Sequence, residues 1–235
     1  MVEYIWFDLG YTLVYLNREE KFQEVLQAHG INRSIEEIKL AYHLADKYFM
    51  REHPGLLGKD RKYYAEQYQA KLNSYLGVIG MFDKDIRNIQ AKTTVSWRAF
   101  PDTIRTLQEL KRMGIGVGLI SNWNDTARQV LQENNIFPLL DHVVISSELQ
   151  IEKPDRRIFE HAIELAGISP ERSLYIGDNY YDDVVGSRKV GMDSILINPF
   201  DWIGIEELAS EDVTIISNVK ELLPVLEKQL VAFRG

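Results

Sequence analysis

The stretch that decides the fold is Tyr4-Ile5-Trp6-Phe7-Asp8-Leu9-Gly10-Tyr11-Thr12-Leu13. Its first four residues form an apolar run too short for a helix, which predicts a buried strand, and Asp8 follows at its end. Other short apolar runs predict strands of the same kind: Ile115–Ile120, Val143–Ile145, Leu174–Ile176, Ile195–Ile197 and Val213–Ile216.

Amphipathic segments between these runs predict helices near Thr103–Met113, Ala127–Asn134, Pro154–Ala166 and Val219–Phe233, the last after a cap at Asn218. Strands that alternate with helices indicate an α/β protein with a Rossmann-like open parallel sheet and helices on both faces. Ligands bind to such sheets beyond the carboxyl ends of the strands, which is where Asp8 lies.

The stretch from about residue 15 to 96 has helical periodicity and almost no strand signal. Ser34 and Glu37 predict a capping box there, and a second helical stripe contains Tyr64, Tyr68, Leu72 and Tyr75. We therefore expect an α/β core domain made of residues 1–14 and 97–235, interrupted by a helical cap domain at 15–96.

Composition excludes several classes of protein. The 235 residues correspond to roughly 1.6 domains of ordinary length, as expected for a core with an insertion. The net charge of −8 argues against binding to nucleic acid or to an anionic membrane. The absence of cysteine removes disulfides and a cysteine nucleophile. Without a signal peptide or a long apolar run, we expect a soluble, cytoplasmic protein, either a monomer or a homodimer.

Polar and charged residues follow four of the predicted strands. Besides Asp8, they are Ser121 with Asn122, Lys153 a few residues further along the chain from a strand, and the acidic run Asp178, Asp182 and Asp183. Each of them alone has an ordinary structural explanation as a turn, cap or surface residue. Three acids within six positions repel one another unless a cation lies among them, which favours a metal site.

Together these residues indicate phosphoryl transfer. Asp8 has the position of a nucleophile that forms an aspartyl-phosphate. Asp8 and Asp178, with Asp183 as a further candidate, are predicted to hold Mg²⁺, a hard ion that prefers oxygen ligands. Lys153 and Ser121 are predicted to bind the phosphoryl oxygens, so positioning and charge neutralisation carry the catalysis.

Four motifs in this order resemble those of the haloacid dehalogenase (HAD) superfamily. They are Tyr4–Leu13, Gly118–Asn122, Glu152–Phe159 and Tyr175–Gly186. The resemblance implies a HAD-like hydrolase, of which most members with this layout are Mg²⁺-dependent phosphatases of small phosphorylated metabolites. The insertion after the first motif resembles the family's α-helical cap, which closes over the site and helps to set substrate choice.

The resemblance also implies roles for individual residues. The backbone carbonyl of Gly10 joins Asp8 and Asp178 as a metal ligand, and Asp183 is either a further ligand or orients Lys153. Thr12 shapes its loop or orients Asp8. We list Asp8, Lys153 and Ser121 as catalytic, and we expect Ser121, Asn122, Lys153 and Thr12 to contact substrate.

Gly10 departs from the family pattern, because typical phosphatases have an acid–base aspartate at this position. Such an aspartate protonates the leaving oxygen and activates water, which is worth ~10²–10⁴-fold in rate. Three explanations of Gly10 are open. Another group or a water takes the place of the aspartate; the protein is a slow or specialised phosphatase; or catalysis is lost and the protein only binds a ligand. We expect activity to be retained. The alternatives are a catalytically impaired binding or regulatory protein and a 2-haloacid dehalogenase, although Asp178 and Asp183 favour a metal over a dehalogenase.

Other features have weaker functional interpretations. Arg18 follows the first motif and is a candidate for a substrate anion, but a solvated arginine at a helix start is the better expectation. The aromatic residues of the insertion are expected mainly to form its core. Trp123 borders the site in sequence and is a candidate to face the substrate. The five histidines fall outside the motifs and are expected to be structural or exposed, with His53 the candidate closest to a substitute acid.

Overall fold

The computed structural model describes residues 2–59, 61–80, 85 and 96–232. The chain divides into two compact units. The α/β unit comprises Met1–Tyr15, Arg98–Asp201 and Ser210–Gly235, and the helical unit comprises Leu16–Trp97 and Trp202–Ala209. The segment Trp202–Ala209 had no sequence signal that would assign it to the helical unit.

The α/β unit contains a parallel sheet and a short antiparallel pair of strands. In chain order the strands are β1 (Tyr4–Phe7), β2 (Val14–Tyr15), β3 (Arg98–Ala99), β4 (Gly116–Ser121), β5 (His142–Ile145), β6 (Ser173–Gly177), β7 (Asp193–Ile197) and β8 (Thr214–Ile216). The sheet has the order β5-β4-β1-β6-β7-β8, and all its neighbours are parallel. The predicted open parallel sheet is confirmed, and each predicted run overlaps one of its strands, although Ile115 and Val213 lie just before β4 and β8.

β1 lies in the middle of this sheet because its side chains are apolar on both faces. Ile5, Trp6 and Phe7 are fully buried and Tyr4 nearly so. Phe7 pairs with Leu119 of β4 on one side and with Ile176 of β6 on the other. Asp8, the residue after β1, therefore lies near the centre of the edge formed by the carboxyl ends of the sheet strands. The β2–β3 pair is antiparallel and too short for its sequence to have indicated it.

The helical unit contains α1 (Arg18–Ala28), α2 (Ile35–Glu52) and α3 (Ala65–Leu76). The predicted capping box is present, since Ser34 Oγ accepts from the Glu37 amide and Glu37 Oε2 accepts from the Ser34 amide. Its apolar core contains Phe22, Leu26, Ile38, Ala45, Phe49, Tyr68 and Leu72. The predicted stripe is wrong at Tyr75, which is 39% exposed because it lies beside the buried face of α3 and not on it. Residues 81–84 and 86–95 of the predicted cap lie outside the described residues.

Trp202–Ala209 packs within the helical unit through both polar and apolar contacts. The Ile203 carbonyl lies 2.8 Å from His43 Nε2, and Arg51 donates to Glu207 over 3.0 Å. Ile205 and Leu208 are buried. The α-helices thus hold a segment that is distant in sequence.

The helices of the α/β unit are α4 (Thr103–Arg112), α5 (Ala127–Glu133), α6 (Ser146–Leu149), α7 (Arg156–Ala166), α8 (Val185–Arg188) and α9 (Leu222–Ala232). The predicted start of α7 at Pro154 is wrong. Asp155 has extended backbone and its side chain accepts from the Arg157 amide, so Asp155 is the cap and Pro154 precedes it. α9 follows a 3₁₀ turn at Val219–Glu221, and Phe233 lies outside the described residues.

Among the described residues, no helix combines the length and the apolar character needed to cross a lipid bilayer.

Candidate active site

Asp8 is buried at the carboxyl edge of the central strand. Its amide donates to the Ile176 carbonyl over 2.9 Å, which extends the pairing of β1 with β6 by one residue. The residue as a whole is 9% exposed. Oδ1 accepts from Ser121 Oγ at 2.9 Å and from Lys153 Nζ at 2.8 Å. Three of the predicted catalytic residues therefore meet at one carboxylate oxygen.

Lys153 is buried among acceptors, although lysine is usually a surface residue. Nζ donates to Asp8 Oδ1, to Asp183 Oδ1 at 2.6 Å and to Tyr175 Oη at 2.9 Å. Burial by itself lowers the pKa of this ammonium, but the Asp183 and Asp8 carboxylates outweigh burial and hold the pKa well above its usual value. Burial raises the pKa of Asp8, and the Lys153 charge opposes that rise. Lys153 is therefore a permanent positive charge beside Asp8.

Asn122 holds the backbone of Lys153 in place. Its Nδ2 donates to the Lys153 carbonyl at 2.9 Å, and its Oδ1 accepts from the Lys153 amide at 2.7 Å. Both ends of the Asn122 amide are bonded to the loop that carries Lys153, and the substrate contact of Asn122 stays a prediction. The residue joins the end of β4 to that loop.

The fourth motif begins within β6, and the chain turns sharply after that strand. Asn179 Oδ1 accepts from the Tyr181 and Asp182 amides, which caps a π-helical turn at Tyr180–Val184. This turn brings Asp183 back towards β6, where Oδ1 accepts from Lys153 Nζ and Oδ2 accepts from the Asn179 amide at 2.9 Å. Single π turns of this kind are frequent at functional sites.

Gly177 permits this return because it has no side chain. A Cβ at Gly177 would lie 2.1 Å from Asp183 Oδ2, far inside van der Waals contact. The glycine of the motif is thus required by the close approach of Asp183 and not by a left-handed backbone conformation.

Asp182 is a second buried acid in the same turn. Its Oδ2 accepts from Asn179 Nδ2 at 2.8 Å, whereas its Oδ1 is buried and has no hydrogen-bond partner in the described part of the chain. Burial, with the nearby Asp183 charge, raises the pKa of Asp182 to about 7. Among the described residues, the site therefore contains one buried carboxylate oxygen that accepts no hydrogen bond.

The donor set fits a hard divalent cation. Lys153 pairs with Asp8 and Asp183, Asp182 is a further buried acid of the same turn, and its Oδ1 has no hydrogen-bond partner within residues 2–59, 61–80, 85 and 96–232. Asp178 is partly exposed and is the first residue after β6 in the same motif. No group of three or more histidine, aspartate or glutamate side chains poised to hold a metal occurs in that part of the chain. Mg²⁺ does not need one, because it usually keeps several waters and takes one or two carboxylates.

The loop after Asp8 reverses within four residues. Gly10 forms a bridge with Val14, and the Tyr11 amide donates to the Val14 carbonyl at 2.7 Å. Thr12 is 1% exposed, and its hydroxyl has no hydrogen-bond partner in the described residues. The structure thus shows Thr12 as part of the loop interior and gives no hydrogen bond from it to Asp8.

Arg18 and His43 belong to the interior of the helical unit. The Arg18 guanidinium is paired with Asp46 and Glu19 and lies 4.4 Å from the centre of the Tyr42 ring. Burial, helped by the Lys47 charge, lowers the pKa of His43 to about 4. The expectation of a solvated Arg18 is wrong, because a carboxylate of α2 holds it.

Side-chain contacts are also found for Trp123, His53 and His142. Trp123 is half-buried and its indole N–H donates to Thr126 Oγ1 at 3.0 Å. His53 packs against Phe49, with ring centres 5.1 Å apart. His142 Nδ1 lies 2.8 Å from the Tyr4 hydroxyl.

Tyr175 is the site residue that sequence reasoning missed. It lies in β6 between Leu174 and Ile176, is fully buried, and its hydroxyl contacts Lys153. A tyrosine within a buried aliphatic strand was the available signal, because its hydroxyl needs a polar partner in the core.

The fold and the site define an α/β protein with a buried carboxylate, serine and lysine at the carboxyl edge of a parallel sheet. Residues 2–191 match the model of the haloacid dehalogenase-like hydrolase family, and the chain belongs to that family. The predicted family is confirmed.

One curated relative is the glyceraldehyde 3-phosphate phosphatase of Methanothermobacter thermautotrophicus. It is 38% identical over 135 residues, which are 55% of this chain and 59% of that protein. The match with the protein of the same name from Methanocaldococcus jannaschii covers 57% of the latter at 29% identity. The chain thus spans less than two thirds of the length of these relatives.

Two solved structures share the fold. A HAD phosphatase from Thermococcus onnurineus superposes with a TM-score of 0.59 at 21% identity, covering 96% of this chain and 98% of that one. The L-2-haloacid dehalogenase of Xanthobacter autotrophicus, with chloropropionic acid covalently bound, gives a TM-score of 0.58 at 16% identity, covering 97% and 99%. At these identities the likeness concerns the fold alone.

Proposed function

We propose that this protein is a Mg²⁺-dependent phosphatase that hydrolyses a small phosphate monoester through an aspartyl-phosphate on Asp8. The observation that carries the proposal is the buried Asp8 carboxylate with Ser121 and Lys153 on one of its oxygens. A carboxylate can act as a covalent nucleophile, and an adjacent ammonium and hydroxyl suit the oxygens of a phosphoryl group.

The proposed reaction has two displacements at phosphorus. A carboxylate oxygen of Asp8 bonds to phosphorus while the ester P–O bond breaks, and the leaving oxygen takes a proton from water. Water then attacks the phosphorus of the aspartyl-phosphate, which frees Asp8 and releases inorganic phosphate. Ser121 and Lys153 hold the phosphoryl oxygens in both steps, so catalysis rests on positioning and charge.

Mg²⁺ would be held by Asp8, the Gly10 carbonyl and Asp178, and when bound it supplies positive charge that offsets the phosphate oxygens. For Asp183 the two roles left open by the sequence were metal ligand and orientation of Lys153. The bonds of both Asp183 oxygens within the protein support the second role.

Gly10 shapes the substrate preference. With no side chain to protonate the leaving oxygen, we expect rates to fall as the pKa of the leaving group rises. Acyl and aryl phosphates are then better substrates than sugar phosphates. A flat dependence, measured where chemistry limits the rate, contradicts this part of the proposal.

The substrate is proposed to be a small phosphorylated metabolite, and the helical unit to be the family's cap. Because a relative at 38% identity is named a glyceraldehyde 3-phosphate phosphatase, that triose phosphate is the first metabolite to test. The cytoplasmic location and the monomeric or homodimeric state remain proposals, and light scattering after gel filtration decides the second.

The test is phosphate release from p-nitrophenyl phosphate, glyceraldehyde 3-phosphate and a broader panel, with Mg²⁺ and with EDTA. We expect Mg²⁺-stimulated release that Asp8→Asn abolishes. Asp193→Asn is the matched control, because Asp193 is exposed at the start of β7, the opposite end of a sheet strand. Activity that survives Asp8→Asn contradicts the mechanism.

Gly10 also supports a second candidate, a ligand-binding protein without turnover. This candidate predicts no phosphate release across the panel together with a raised melting temperature in the presence of one metabolite. Chloride release from 2-chloropropionate in EDTA would instead indicate a dehalogenase.

A further inference from the structure

The Lys153 ammonium has three N–H groups and three acceptors. Two acceptors are carboxylates, Asp8 and Asp183, which the sequence already indicated. The third is the neutral hydroxyl of Tyr175, at 2.9 Å from Nζ. Three acceptors around a tetrahedral ammonium specify its position, whereas two leave it free to rotate and shift.

The Tyr175 hydroxyl is itself held in place. Its O–H donates to the Ile120 carbonyl at 2.7 Å, so a lone pair of the oxygen is what faces the ammonium. The ring is fully buried and meets Phe159 edge-on, with centres 5.4 Å apart. Phe159 in turn fills the space beside Gly186, where a Cβ would lie 2.5 Å from the Phe159 ring. The acceptor is therefore part of the packed sheet and not of a mobile loop.

We propose that Tyr175 is the positioning residue of Lys153, an inference that rests on the proposed phosphatase function. A third carboxylate at this place would neutralise the ammonium further. A tyrosine hydroxyl accepts the same hydrogen bond without adding charge, so the ammonium stays in place and remains attractive to phosphate. It also keeps Lys153 fixed while Asp8 changes from a carboxylate to an aspartyl-phosphate.

The Tyr175 hydroxyl also donates to the Ile120 carbonyl. The experiment therefore has to distinguish positioning of Lys153 from a purely structural role of this hydroxyl. Tyr175→Phe removes only the hydroxyl and keeps the ring against Phe159. Tyr4→Phe is the matched control, because Tyr4 is a nearly buried tyrosine of the neighbouring strand β1 whose hydroxyl bonds to His142 and not to the site.

We expect Tyr175→Phe to lower kcat about tenfold with little change in KM, the loss for one hydrogen bond used in the transition state. Tyr4→Phe should leave both constants unchanged while lowering the melting temperature. In a Lys153→Ala background, Tyr175→Phe should have no further effect on the residual rate, because a positioning residue acts only through the lysine. Wild-type kcat and KM in folded Tyr175→Phe overturn the proposal.

The second measurement does not depend on turnover. In ¹H–¹⁵N spectra of lysine side chains, the buried Lys153 ammonium should be a slowly exchanging signal that Lys153→Ala removes. Tyr175→Phe should speed its exchange at least tenfold, and Tyr4→Phe should not. Slow exchange in both variants overturns the proposal. If the wild-type protein releases no phosphate from any substrate, the phosphatase function fails, and this exchange rate still decides whether Tyr175 holds Lys153. A fast-exchanging wild-type signal overturns it even if Tyr175→Phe does not fold.

Discussion

Both units bury charged side chains, but they balance them differently. In the helical unit Arg18 and Lys47 accompany Asp46 and Glu19, and Arg18 is bonded to both acids and stacked on Tyr42. In the α/β unit Lys153 pairs with Asp8 and Asp183, and an oxygen of the nearby buried Asp182 lacks a hydrogen-bond partner within the described part of the chain.

The difference supports the proposal that the cluster of the α/β unit binds a ligand, whereas that of the helical unit is structural. Balanced buried ions satisfy each other and hold helices together. Buried carboxylates in excess of their cations are costly unless a further cation or ligand lies beside them. An unbalanced cluster at the carboxyl edge of a sheet is therefore a better candidate for a binding site than a balanced one.

The largest expected effect comes from removing the buried ammonium of Lys153 in the α/β unit. Lys153→Met leaves buried carboxylates unpaired and removes the charge proposed to bind phosphate. We expect kcat/KM to fall by roughly 10³-fold and the metal-free protein to lose about 3–5 kcal/mol of unfolding free energy at pH 7. Steady-state kinetics and urea unfolding measure both. If kcat/KM of Lys153→Met stays within tenfold of the wild-type value, the functional interpretation of this cluster is wrong.

Removing the Arg18 guanidinium of the helical unit should lower the free energy of unfolding by less. Arg18 is 18% exposed in its side chain, so water can partly solvate Asp46 after Arg18→Met. We expect a loss of about 2–3 kcal/mol. The double variant Arg18→Met with Asp46→Leu should recover most of that loss, because an apolar pair replaces a buried ion pair at little cost. If the double variant does not regain the lost unfolding free energy, Arg18 and Asp46 do more than neutralise each other.

The last expected effect is a change in pH dependence, and it concerns Asp182. Its pKa rises from 3.8 in the unfolded chain to about 7 in the folded one, so the folded state binds the proton more tightly. This contribution to stability is complete below about pH 4 and is lost as pH rises towards 7. In EDTA, Asp182→Asn should therefore flatten the fall of unfolding free energy between pH 4 and 7. A parallel pH dependence in wild type and variant would show that Asp182 is charged throughout.

Several site residues could be predicted because their neighbours in sequence place them. A parallel sheet brings the carboxyl ends of its strands to one edge, so the residues that follow Phe7 and Ile120 had to meet. Asp8 and Ser121 do so at 2.9 Å. Lys153 could be included because it follows β5 within a recognisable motif.

Other contacts could not be read from the chain. The bonds of Asn122 with Lys153 span 31 positions, and the segment Trp202–Ala209 joins helices more than 150 positions away. The 39% exposure of Tyr75 also depended on which face of α3 its neighbours cover. Such contacts arise from loop paths, for which a sequence has no periodic signal.

The sequence by itself determined the parallel sheet, the helical insertion and the acid, hydroxyl and ammonium at the strand ends, because apolar periodicity and chain order dictate them. Only the tertiary structure decided that Tyr175 completes the shell of Lys153, that Asp183 is bonded through both oxygens, and that Arg18 is neutralised within its own unit. The physical reason is that hydrogen-bond partners are chosen by distances of about 3 Å, which packing sets and sequence spacing does not.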